Sequence, residues 1–519
     1  RYRREEEMEE ESREEQMNPW LTTIAVMSAT FIFVLDGTIA NVALPQMAGS
    51  FSSSNDEATW ILTSYLIASG IVVPSVDWFS KLFGRKMFFI ACVLLFTVAS
   101  LLCGMSTSLD MMIFSRILQG FGGGALLPVS QAILLEAFPK EKRALAMSIF
   151  GFGVVVAPVI GPVLGGWLTD NWSWNWIFFI NIPFGIFAAI ASWLWIVDPP
   201  YAKKQPNPYI DYIGFTLLII WLVTLQVVLD KGNNADWFNA TWVCVVSGIS
   251  FVAMVLFIYS QLKQKRSIID LSVFKDMNFL LGTLILVLVN TVLYASTTIM
   301  PLFLQNLLGY SAFWSGYSLM PRGIGSVMMI ALYSVTSDKV DFRIYTALGL
   351  ILLGVSGLMF GFLNLEISMF NIVLPNLLFG AGVGMTMTVL TTVSMETISN
   401  AQMTNASGVQ NLLKNIGAAV GTSLVATMVS RYSQAFQHYF VENLSDLNGV
   451  YSDKLNSLIS SFSVYENYPV ALEKAMGTLY QELIQQATLC AYIESFRIFG
   501  VVCFFCLPLL LLYKRRRQV

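Results

Sequence analysis

The stretch that decides the fold is WLTTIAVMSATFIFVLDGTIANVAL, Trp20 to Leu44. It is long enough to cross a bilayer, since about 20 predominantly apolar residues do so as a helix. One residue stands out in it: Asp36. A carboxylate near the middle of a spanning helix costs roughly 2.5–3.5 kcal/mol on insertion scales. It needs a cationic partner, a water-filled cavity or a bound proton. Two readings stand: Asp36 binds the proton of a secondary transporter, or it makes a buried polar contact between helices with no transport role. Intramembrane ionisable groups are functional by default, which favours the first.

Composition supports the membrane reading. Of 519 residues, 55% are hydrophobic and only 12% charged, with mean hydropathy +0.65. That balance defines a polytopic α-helical membrane protein. A net charge of −3 offers no footprint for nucleic acid. The six cysteines, Cys92, Cys103, Cys244, Cys490, Cys503 and Cys506, sit mostly in apolar runs. Cys503 and Cys506 enclose two phenylalanines inside a spanning segment, where a thiol is a small hydrophobe, so no redox or metal site is expected. A single histidine, His438, adds no support for one. The start of the chain is acidic and reads as a solvated cytoplasmic tail over 1–19. The first apolar stretch is too long for a cleavable signal and lacks a small-residue cleavage pattern, so it is expected to act as its own insertion signal.

Apolar segments recur at about 20–44, 60–80, 87–105, 109–135, 144–168, 176–197, 209–229, 241–259, 279–304, 312–336, 344–363, 369–394, 408–430 and 490–513. The expected fold is therefore all-α with fourteen transmembrane helices, both termini on one side. Alternate loops hold Lys81, Arg85 and Lys86; Lys140, Lys142 and Arg143; Lys203 and Lys204; Lys263, Lys265, Arg266 and Lys275; Lys339 and Arg343. Lys514 to Arg517 end the series, and the opposite short loops hold little basic charge beyond Lys231. By the positive-inside rule both termini are cytoplasmic. The loops after the second and tenth spans echo each other, with Lys81, Gly84, Arg85 and Lys86 in one and Asp338, Lys339, Asp341 and Arg343 in the other. Two six-helix halves follow, 20–200 and 266–519, with two inserted helices in 201–265. Such repeats enclose a midplane site in secondary transporters. The outer stretch 431–489 has the apolar spacing of two or three amphipathic helices. It reads either as a cap over the mouth or as a docking surface.

The fourth span carries a second anomalous charge, Arg116, with Gln119 and Gly120 beside it. At 1.5 Å rise per residue, Asp36 lies about 12 Å and Arg116 about 9 Å from the outer ends of their spans, so pairing is allowed. Arg116 could instead donate to backbone carbonyls. Desolvation opposes ionisation of a carboxylate and a neighbouring guanidinium favours it, so making and breaking such a pair moves a proton. Arg322 follows Pro321 in the tenth span, about 14 Å from its outer end. It reads either as an offset for a carboxylate or a barrier to cations, or as a residue that snorkels or caps a kink. Substrate contact is expected at Asn41, Gln119, Asn290 and Arg322, in a cavity between the halves lined partly by spans 1, 4, 5 and 10.

Span 5 places Gly153, Ala157, Gly161 and Gly165 four residues apart, with Pro158, Pro162 and Gly166 beside them. The small residues share one face and admit another backbone closely, a seam suited to a gate between halves. Gly417 and Gly421 give a shorter version in span 13. Trp172, Trp174 and Trp176 read as interfacial anchors without a substrate role.

Together these features resemble the major facilitator superfamily, in its fourteen-span drug:proton antiporter branch, and most of all the EmrB-type exporters. LDGTIANVALP at 35–45 resembles that branch's first-helix motif, with Asp36 at its acidic position. Arg116, Gln119 and Gly120 resemble the fourth-helix motif, whose arginine is implicated in proton coupling. Gly153 to Gly166 resembles the antiporter motif, and WSWNWIFFINIPFG at 172–185 the entry to span 6. The loop after span 2 keeps Gly84, Arg85 and Lys86 but has Asp77 and Lys81 where the family has glycine and aspartate, which puts the usual charge latch in question. The resemblance implies efflux of hydrophobic or amphipathic toxic compounds across the bacterial inner membrane. A proton gradient, not a cofactor, would drive it, with protons, lipophilic substrates and membrane lipids as small partners. It also implies a tripartite pump with an EmrA-type periplasmic adaptor and a TolC-type outer-membrane channel. The alternative of the same fold is a stand-alone antiporter or a dedicated exporter of one metabolite or fatty acid. A membrane enzyme would need a catalytic constellation, and no Cys/His dyad, metal spacing or phosphate loop is present. A receptor or scaffold leaves the two intramembrane charges unexplained.

Overall fold

The computed structural model describes residues 18–53, 55–58, 60–139, 142–198, 211–264, 269–310, 312–336, 340–399, 402–442, 444 and 449–513. The acidic start, Lys140, Lys203, Lys204, Lys265, Arg266, Asp338, Lys339, the basic end and the side chains of Asn41 and Pro162 lie outside the described residues.

The first half begins with α1 (Pro19–Ser50), capped by Asn18, whose side chain accepts from the amides of Trp20 and Leu21 ahead of Pro19 at the first turn. Span 2 is α2 (Trp60–Val72) and α3 (Val76–Phe83), bent by 63° at Val73–Ser75. Gly84 then takes φ 86°, a left-handed value that suits glycine, and turns the chain into α4 (Arg85–Gly104). Span 4 comprises α5 (Leu109–Gly123) and α6 (Leu126–Ala137). Next come α7 (Arg143–Asn171) and α8 (Asn181–Trp195). Spans 7 and 8 are α9 (Tyr212–Lys231) and α10 (Thr241–Lys263). The second half holds α11 (Met277–Leu302), α12 (Ala312–Thr336), α13 (Phe342–Phe360), α14 (Met369–Met395) and α15 (Met403–Val441). The short α16 (Gly449–Phe462) precedes the last span, α17 (Tyr468–Phe505). Among the described residues, thirteen helices are long and apolar enough to cross a membrane, and the bent pair α2–α3 makes fourteen.

Packing repeats between the halves. In the first, α7 packs on α1, α5 on α2 and α4, and α8 on α4; in the second, α15 packs on α11, α14 on α12 and α13, and α17 on α13. Across the interface α7 meets α12 and α14, while α15 meets span 2 and α6. The pattern is that of a two-fold pair. Between the halves, Ser148 donates to the Ile330 carbonyl (3.3 Å), Ser407 to that of Pro128 (3.0 Å) and Asn411 to Gln131 Oε1 (3.1 Å). These contacts lie toward the basic-loop ends of their helices. Spans 7 and 8 are the least buried, 22% each: they pack on each other at the flank, where α9 meets α2, α3 and α15. Val98, Phe187, Leu194 and Val252 are left exposed around the bundle, a surface suited to lipid and not to water.

The outer stretch differs from a set of separate amphipathic helices. Spans 13 and 14 run on as rods: α15 has 39 residues, about 58 Å, nearly twice the hydrocarbon thickness. The reason is a continuous stripe on α17, where Ala471, Ala475, Leu479, Leu483 and Ala487 are buried at four-residue spacing. Among its described residues only α16 is a separate helix, laid on α17 through Ile459 and tied to it by Lys454 and Glu482.

Candidate functional site

Five spans converge on Asp36, which is fully buried. Its Oδ2 accepts from Arg116 Nη1 at 2.7 Å, and its Oδ1 from Gln119 Nε2 at 3.0 Å and Asn181 Nδ2 at 2.8 Å. Arg116, also fully buried, has two further acceptors: Nε donates to the Ile61 carbonyl at 3.1 Å and Nη1 to Gln119 Oε1 at 2.7 Å. Both sequence readings of Arg116 therefore hold at once, as ion-pair partner and as donor to backbone. The Tyr65 ring covers its guanidinium at 4.2 Å, with Phe178 at 5.6 Å. Ser100 closes the network, accepting from Gln119 Nε2 at 2.7 Å. These hydrogen bonds offset part of the desolvation cost of the buried pair, although Arg116 Nη2 is left buried without a partner.

The glycine face of α7 lies against α1, the helix that carries Asp36. Gly153 faces Met27, Gly161 faces Thr38, and Gly165 faces the Ile39 backbone, so a side chain at any of them would collide with α1. Ala157 is fully buried, Gly166 is half-buried and Pro158 sits partly exposed in a continuous helix. The seam is thus internal to the first half. The contact of α7 with the other half comes nearer the basic-loop end, at Ser148 and Gly151. Gly417 and Gly421 repeat the arrangement, facing Val287 and Thr291 of α11.

A second charged cluster holds the loop after span 2. Arg85 grips Glu136 with two parallel bonds of 2.9 and 2.8 Å, and its Nε lies 3.8 Å from Asp198. The Lys86 amide donates to both Asp198 oxygens at 3.0 and 2.9 Å. Burial raises the Asp198 carboxyl above its ordinary range, against the Lys86 amide and Arg85. Asp77 pairs instead with its own Lys81 at 2.5 Å. A latch exists, carried by Arg85 to spans 4 and 6, and the two departing positions satisfy each other.

The residues expected at substrate are not gathered in one place. Gln119 belongs to the Asp36 network. Asn290 donates to the Lys414 carbonyl at 2.7 Å, tying α11 to α15. Arg322 lies in the second half, bonded to Asn376 and Ser296. Sequence reasoning passed over Asn181, Ser100, Tyr65, Asn376, Ser296 and Lys414. For Asn181 the signal was a polar residue within an otherwise apolar run at the entry to span 6.

A charge pair sealed inside one of two repeated helical bundles fits a membrane transporter. The sequence profile described as the Major Facilitator Superfamily matches residues 26–422, and the chain belongs to that superfamily. Among relatives, it is 31% identical to the probable multidrug resistance protein EmrY of Escherichia coli K12, covering 93% of each chain. It is 33% identical to the fatty acid resistance protein FarB of Neisseria gonorrhoeae, over 95% of this chain and 96% of FarB. It is 31% identical to the multidrug export protein EmrB of Escherichia coli K12, over 92% and 91%. In fold it is similar to the human organic anion transporter MFSD10, with TM-score 0.59 and 12% identity over 94% of this chain and 99% of that one.

Proposed function

We propose that the protein exports hydrophobic or amphipathic toxic compounds across the bacterial inner membrane in exchange for protons. The observation that carries this reading is the Asp36–Arg116 pair, buried in the membrane and joined to the glycine seam of α7 through α1. A neighbouring guanidinium favours an ionised carboxyl, and burial without one favours the neutral acid. A movement of α1 against α7 therefore exchanges a proton for a change of shape, and a potential of 100 mV adds about 2.3 kcal/mol per charge moved. Contacts between the halves at the basic-loop end support an outward-facing state, with both termini cytoplasmic by the positive-inside rule. The names of the multidrug relatives support drug efflux. The rods of α15 and α17 with α16 support docking of an EmrA-type adaptor that leads to a TolC-type channel.

The FarB relative favours a second reading, a dedicated exporter of fatty acids. Proton movement in proteoliposomes, with and without a panel of lipophilic compounds, tests the main one. Asp36→Asn is expected to abolish drug-coupled proton movement while drug binding persists. Unchanged coupling in that variant would make Asp36 structural. Response to fatty acids alone would select the second reading.

A further inference from the structure

RILQGFGGG at 116–124 and NLLFGAGVG at 376–384 place glycine at the same three positions. The structure uses them alike. Gly120 and Gly124 face the backbone of α2, at Tyr65 and Ser69, and Gly122 faces α4. Gly380 and Gly384 face the backbone of α12, at Arg322 and Ser326, and Gly382 faces α13. Superposing the two motifs puts Asn376 where Arg116 stands and Phe379 where Gln119 stands. Ser296, at the same spacing along its own half, falls where Asp36 stands. The cation has moved to α12, as Arg322.

The second centre is therefore a copy of the first without its carboxylate. Arg322 is 8% exposed. Its Nε donates to Asn376 Oδ1 and its Nη2 to Ser296 Oγ at 2.8 Å, while Phe379 and Phe360 cover its face at 4.4 and 5.9 Å. Nη1 is buried with no hydrogen-bond partner. Every contact is neutral, and Arg322 makes no ion pair among the described residues. A guanidinium offers five donors in a fork that fits a carboxylate; each of the two arginines leaves one arm free, but only Arg116 has an acid on another arm among the described residues.

We propose that Arg322 binds a monovalent anion through its unpartnered Nη1, either the head of a lipophilic acid or a free halide. Ser296 places a hydroxyl where the first half has a carboxylate, Asn376 orients the fork, and the anion supplies the charge that Asp36 supplies in the first half. Binding is read at equilibrium, so the site stands or falls independently of the exchange proposed above.

The test is thermal unfolding of the full chain in zwitterionic nanodiscs. Decanoate is one ligand, decyltrimethylammonium its charge-reversed control, and chloride is titrated against bulky gluconate. At least one anion is expected to raise the Tm by about 2 °C or more, and the cation is not. Arg322→Gln and Ser296→Asp should each abolish that rise. Ser296→Asp does so with a built-in carboxylate, so its ligand-free Tm should increase and the loss cannot be ascribed to misfolding. A response to decanoate alone identifies the head of a lipophilic acid, and a response to chloride identifies a free ion. No rise with either anion, or an undiminished rise in Ser296→Asp, would overturn the proposal.

Discussion

In the first half, three side chains from two helices converge on the carboxylate of Asp36; in the second, the corresponding place is Ser296, and a cation enters from a different helix. The scaffolds around them are alike, with glycines of α5 and α14 admitting their neighbours at the same three levels. What differs is charge balance. A matched pair can be broken and remade by a proton, because protonation neutralises one member. A lone arginine cannot, since it has no acid partner among the described residues for a proton to neutralise. The repeat thus divides charge: one centre holds a matched pair, the other a positive charge with no acid beside it among the described residues.

The sharpest way to break this contrast is to remove each arginine. Arg116→Gln strands the Asp36 carboxylate without a counter-charge and should cost about 3–5 kcal/mol of stability, the usual penalty for halving a buried pair. The double variant Asp36→Asn with Arg116→Gln should recover most of that loss while staying inactive in proton exchange. Arg322→Gln, whose contacts are all neutral, should cost only about 1–2 kcal/mol. Unfolding in detergent read by Trp fluorescence measures all three. Equal losses at the two arginines would mean that the second centre holds an acid after all.

Gly120→Ala and Gly380→Ala probe what the halves share. Each new methyl group meets a backbone carbonyl, of Tyr65 or Arg322, which cannot swing aside. Overpacking of that kind costs about 1–3 kcal/mol, and the two variants should fall within about 0.5 kcal/mol of each other. A large difference would show that only one half is built to slide.

Much of this was legible in the chain. Asp36 and Arg116 betray themselves because charges are rare in spanning helices and theirs lie at similar depth. The span count follows from hydropathy and alternating basic loops, and the Gly153–Gly165 face from simple four-residue spacing. Other features were not legible, for identifiable reasons. Asn181 and Ser100 reach Asp36 from spans 6 and 3, and which way those helices turn is set by packing, not by local sequence. The glycine face of span 5 showed that some backbone approaches closely, but the partner, α1, is a tertiary fact. Glycines at 120–124 and 380–384 look like ordinary membrane packing until their neighbours are known. The length of the outer rods was hidden because the stripe on α17 mixes alanine with leucine, which hydropathy reads as polar loop.

The smallest expected effect concerns how each half joins its first helix to its fifth. In the second half Asn290 spans the gap, donating to the Lys414 carbonyl of α15. At the corresponding place in the first half stands Thr30, whose hydroxyl turns back to the Val26 carbonyl of its own helix. Among the described residues the α1–α7 contact thus has no polar tie at this level, while α11 and α15 have one. Asn290→Thr copies the first-half residue into the second and should cost about 1 kcal/mol, the net worth of one hydrogen bond. Hydrogen exchange at α15 is the more telling readout: amides near Lys414 should exchange faster in the variant, approaching the rate of their counterparts in α7. If α15 is unaffected, the glycine contacts at Gly417 and Gly421 alone hold the seam, and the two halves are equally free to move.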